Sequence, residues 1–167
     1  MTFVVNLLRG LMNERPGIKD MLGLAARLIL GGVFVYAGFL KAVAPAEEFA
    51  YAIETYRVVP QNLALLLALT VPWLEIYLGV FLIAGLSGRL SALLTGAMVI
   101  GFEGLLLQAA LRHLPVTSCG CFGASKSNSL GYELLQNLLL LGLAAAAFRH
   151  GKKISLDALM EDHENHE

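Results

Sequence analysis

Charge is what this sequence has least of. Asp, Glu, Lys and Arg make up 15% of its 167 residues, against roughly a quarter in soluble domains. A small soluble domain exposes a large share of its atoms, so this deficit leaves too little polar surface to cover one. The net charge is −1 and no basic block occurs, which excludes the electrostatic footprint of a nucleic-acid binder. There is no internal repeat and no low-complexity linker. Intrinsic disorder is excluded as well, because it needs low hydrophobicity with high net charge. What remains is apolar: 57% of the chain is hydrophobic. The composition is that of an integral membrane protein.

Four apolar windows carry that excess: Leu22–Val43, Leu63–Leu86, Leu90–Leu111 and Leu130–Phe148. About 20 helical residues cross a hydrocarbon core of roughly 30 Å, so each window is long enough. The runs lack alternation and are rich in Leu and Ala, which indicates helices rather than barrel strands. The segment Gly85–Arg89 is short enough to force a tight antiparallel turn between the second and third. Pro72 predicts a kink inside the second. Gly31, Gly32 and Gly38 in the first window, and Gly96, Gly101 and Gly104 in the third, are candidates for close helix approach. The expected fold is all-α, one bundle of four transmembrane helices spanning residues 22–148.

Orientation follows from the basic residues flanking the windows. Arg9, Arg15, Lys19, Arg89, Arg149, Lys152 and Lys153 fall on one side, and Lys41, Arg57, Arg112 and Lys126 on the other. This bias puts both termini in the cytoplasm of a bacterial inner membrane, with Ala44–Asn62 and Arg112–Ser129 outside. Residues 1–21 form an N-terminal segment whose stretch Thr2–Met12 lies along the inner interface. Residues 149–167 form an acidic tail, in which His163 and His166 are read as solvated.

Chemistry points to one loop. The only two cysteines, Cys119 and Cys121, stand in Ser118-Cys119-Gly120-Cys121-Phe122-Gly123, on the side where oxidised thiols persist. A disulfide closing so small a loop contributes only about 1.6 kcal/mol by chain entropy, before strain. It also requires a sharp bend, which Gly120 permits. Strained, exposed disulfides exchange readily. Three readings stay open: a redox dithiol, a pair of inert small residues, and a metal site completed by His113. The last matches no strong metal spacing, and a closed zinc site needs four ligands. Arg112, His113 and Lys126 flank the pair; positive charge there favours thiolate, and the same residues serve equally well as headgroup anchors.

The Cys-Gly-Cys-Phe-Gly segment ahead of a final helix resembles the MauE branch of the MauE/DoxX family of small four-helix membrane proteins. Further pieces fit in order: Arg27, Gly38-Phe39-Leu40-Lys41, Tyr56 to Pro60, Pro72-Trp73-Leu74-Glu75, and Glu133 to Asn137. The resemblance covers roughly Ala25 to Phe148. Gln136 departs from the basic residue expected before Asn137, so no role is carried to that position. The resemblance implies a redox-associated protein of methylamine utilisation. Such a protein would help an extracytoplasmic partner acquire its disulfides alongside a thioredoxin-like protein, with Cys119 and Cys121 as the functional pair.

Charges at membrane depth cost a few kcal/mol even on lenient insertion scales, so each needs a partner or a task. Arg27 lies about 7–8 Å, and Glu75 about 15 Å, from the inner ends of their helices at 1.5 Å per residue. The expectation is therefore an Arg27–Glu75 pair that fixes helix packing. Glu103 has no evident cation, and Glu133 is expected at the interface. Tyr36, Trp73 and Tyr77 are candidates for a membrane-quinone pocket, with lipid-facing packing as the plainer reading. Two functions emerge. One is a thiol–disulfide protein acting on an extracytoplasmic thioredoxin-like partner, and the other is a non-catalytic scaffold of a larger membrane complex.

Overall fold

The computed structural model describes residues 17–114 and 130–150. Five helices account for nearly all of them: α1 Ile18–Val43, α2 Ala46–Thr55, α3 Gln61–Ala84, α4 Gly88–Leu111 and α5 Leu130–His150. All but α2 are long and apolar enough to cross a membrane. They coincide with the four windows, with three ends identical and the others shifted by two to four residues. Thr2–Met12, the Cys119–Cys121 segment and the acidic tail lie outside the described residues.

Helix ends follow local chemistry. Gly17 precedes α1, and its N–H donates to the Asp20 carboxylate at 3.3 Å, which satisfies one of the free donors of a first turn. Pro45 ends α1 by holding Ala44 extended. Glu47 and Glu48 then occupy the first turn of α2, where the helix dipole favours acid. Gly85 caps α3 in the left-handed region at φ 75°, and its N–H bonds back to Phe81 at 2.9 Å. With Leu86 and Ser87 it makes the tight turn into α4. Helix α3 runs unbroken through Pro72.

The long helices run up and down in turn. Helix α1 packs against α3 on one side and α5 on the other; α4 closes the bundle by packing on α5 and α3. Ala26, Leu30, Phe34, Leu82, Ala92, Val99, Ala144 and Ala147 form the central core. Outside it, large apolar side chains face outward along every span, among them Leu66, Leu69, Leu94, Ile100, Leu138 and Leu139. In water such a surface would aggregate; in lipid it is the expected exterior.

Helices α1 and α3 approach closely at two levels, and a Cβ on Gly23 of α1 would stand 2.5 Å from the His150 backbone of α5. A Cβ on Gly31 would stand 2.7 Å from the Gly79 carbonyl oxygen, and one on Gly79 would stand 2.7 Å from that of Gly31. A Cβ on Gly38 would stand 2.6 Å from the Pro72 oxygen. Gly31 and Gly38 thus do what the sequence predicts, and Gly79 joins them. Gly32, Gly101 and Gly104 face open space, and Gly96 meets the Ala144 methyl only at ordinary contact. These last four are not at backbone-to-backbone contacts.

Helix α2 is an addition to the expected four. Its ten residues are too few to span a membrane. It lays Phe49, Ala50 and Ala52 onto α3 around Ala68 and Val71. Tyr56, at its end, packs with Leu106 and Ala109 of α4 and Leu134 of α5. This end of the bundle also carries the α4–α5 connector.

Candidate functional site

The glycine contacts set the register that builds the site. Gly31 meets Gly79 and Gly38 meets Pro72, so Arg27 is level with Leu82, and α3 begins about two turns beyond the end of α1. Helical side chains lean toward their own N-terminus. In this antiparallel pair Lys41 leans into the bundle while Glu75 leans toward Lys41. Their head groups meet: the Lys41 ammonium donates to Glu75 Oε1 at 2.6 Å and to Oε2 at 2.7 Å. Their side chains are only 1% and 4% exposed.

The expected Arg27–Glu75 pair is therefore corrected to Lys41–Glu75. Arg27 lies about two turns further along α3, where its Nε donates to the Leu82 carbonyl at 3.1 Å. The lean of the two side chains explains the outcome, because Arg27 and Glu75 point away from each other along the bundle. Counting depth from helix ends misses this direction. It also treats Lys41 as a terminal residue, whereas α2 folds over it.

Two rings enclose the ammonium. Phe49 of α2 lies 5.2 Å from Lys41 Nζ, and Phe102 of α4 lies 5.6 Å from it. Both distances are within the reach of cation–π attraction, which strengthens when water is excluded. Glu75 also lines a cavity of about 30 Å³ whose other walls include Phe34, Ala37, Val99, Phe102 and Asn137. Helices α1, α3, α4 and α5 all contribute to it. Asn137 is 5% exposed, and its Nδ2 has no hydrogen-bond partner among the described residues. The same holds for Glu103 Oε2 and for both amide atoms of Gln108. Glu133, in the first turn of α5, is buried at 6% exposure.

Tyr36, Trp73 and Tyr77 are all more than half exposed on the outer surface. Outward-facing positions of this kind are where such residues commonly meet lipid. The sequence does contain the signal for Lys41. Arg27, Gly31, Phe34, Gly38 and Lys41 recur at spacings of four and three, so both basic residues share the buried glycine face of α1.

Fold and site together define a class: a small multi-pass membrane bundle with an ion pair sealed inside it. Within that class the chain belongs to the MauE family, whose description is methylamine utilisation protein MauE and whose match covers residues 19–149. Among curated proteins it is similar to the methylamine utilization protein MauE of Paracoccus denitrificans. The two are 30% identical over 130 residues, covering 77% of this chain and 69% of that protein. No solved structure matches the chain.

Proposed function

We propose that this chain is a membrane accessory of methylamine utilisation that works by thiol–disulfide exchange through Cys119 and Cys121. One observation carries the reading. The only two cysteines of the chain stand either side of Gly120, in the connector between α4 and α5, inside the span that matches the family. The disulfide form takes two electrons and two protons from a partner dithiol, through a mixed disulfide, and leaves the partner oxidised. Reoxidation needs a two-electron acceptor, and a membrane quinone is the chemical class at hand in the lipid phase. The partner is an extracytoplasmic thioredoxin-like protein, met on the outer face of the bacterial inner membrane.

The bundle suits such a role. Tyr56, Leu106, Ala109 and Leu134 tie α2, α4 and α5 together at the end of the bundle where α4 stops and α5 starts. Alkylation trapping in intact cells is the test. Wild type is expected as a mixture of oxidised and reduced forms, and Cys119→Ser or Cys121→Ser should accumulate a mixed disulfide with the partner. A pair locked in one redox state, or a double serine variant that still supports full partner oxidation, overturns the proposal in favour of a scaffold.

A further inference from the structure

The polar groups around Glu75 do not close on one another. Each carboxylate oxygen can accept more than one hydrogen bond, and Lys41 supplies one to each. Across the cavity Asn137 presents an amide donor, itself nearly fully buried and unpartnered among the described residues. A buried donor left unmade is costly, so native structures usually satisfy it with protein or with ordered water. The cavity between these groups measures about 30 Å³. A water needs roughly 10–15 Å³ of such space and two or more polar partners. Volume, donor and acceptor are all present. A purely apolar cavity of this size would stay empty.

We propose that the half-open cavity lined by Glu75 and Asn137 is a hydration site, holding one or two water molecules that accept from Asn137 Nδ2 and donate to the Glu75 carboxylate. The water gives α5 a polar link to the α1–α3 ion pair. The remaining walls, Val33, Phe34, Ala37, Val99, Phe102 and Leu140, are apolar and fix its position by offering it no other side-chain partner. Glu103 Oε2, whose residue adjoins Phe102 on α4, is a second buried oxygen without a protein donor among the described residues. It fits an interior that holds some solvent.

Proton-detected solid-state NMR on the full chain in lipid bilayers tests this with water itself as the probe. Magnetisation transfer from water to the Asn137 side-chain amide is expected in the wild type. Ala37→Val adds two carbons to the cavity wall while leaving Asn137 and Glu75 in place, and should weaken that transfer at least tenfold. Asn137→Leu removes the amide resonance and assigns it. Absence of transfer in the wild type, or transfer unchanged by Ala37→Val, overturns the proposal.

Discussion

Replacing Lys41 by Met keeps the length of its stem and removes only its charge. The Glu75 carboxylate, held at 2.6 and 2.7 Å and 4% exposed, then loses its counter-ion in a site with little screening. Breaking a buried pair from one side costs about 3–5 kcal/mol. Placing a lone charge at mid-helix costs about 2.5–3.5 kcal/mol on the insertion scale, and the two routes meet near 3 kcal/mol. At about 1.4 kcal/mol per decade, the folded-to-unfolded ratio falls at least a hundredfold. Glu75→Leu should cost a similar amount by stranding Lys41. The double variant Lys41→Met/Glu75→Leu should recover most of the loss, because apolar replacement of a whole buried pair is often neutral or better. Steric trapping of unfolding in bicelles measures all three, and the cycle isolates a coupling of at least about 2 kcal/mol. Single losses below about 1 kcal/mol, or a double variant equal to the sum of the singles, would refute the argument.

Two further outcomes follow from the packing. Gly79→Val drives carbons against the Gly31 carbonyl and the Val35 backbone; it should cost about 1–3 kcal/mol by overpacking and lower the melting temperature in detergent. Gly104→Ala, which meets nothing within 4 Å, should not lower it. Phe49→Ala removes a ring that is 3% exposed and lies 5.2 Å from Lys41 Nζ, at a cost of about 3 kcal/mol. Hydrogen–deuterium exchange across Ala46–Thr55 should accelerate more than tenfold, and unchanged exchange would show that Phe49 does not hold α2 in place.

The spans were legible because length and apolarity are additive over twenty residues, so Leu22–Val43 announces α1 whatever its neighbours do. Helix α2 is harder to see: it is short, and its face of Phe49, Ala52 and Ile53 acquires meaning only against α3. The ion pair was half legible. Glu75 stands out as a charge in an apolar run, but its partner depends on register and on the direction in which helical side chains lean, and neither is visible in one segment alone. The glycines divide on the same ground. Gly31 and Gly38 share a face with Arg27 and Lys41, whereas Gly101 and Gly104 have no such company and face outward.

The backbones of α1 and α3 touch at two levels, Gly31 on Gly79 and Gly38 on Pro72. Those two spans must therefore travel as one stiff board. Helix α5 is pinned to the same board at its far end, where Gly23 leaves no room for a Cβ beside the His150 backbone. Helix α4 meets α5 by side-chain contact, Gly96 facing the Ala144 methyl at ordinary distance.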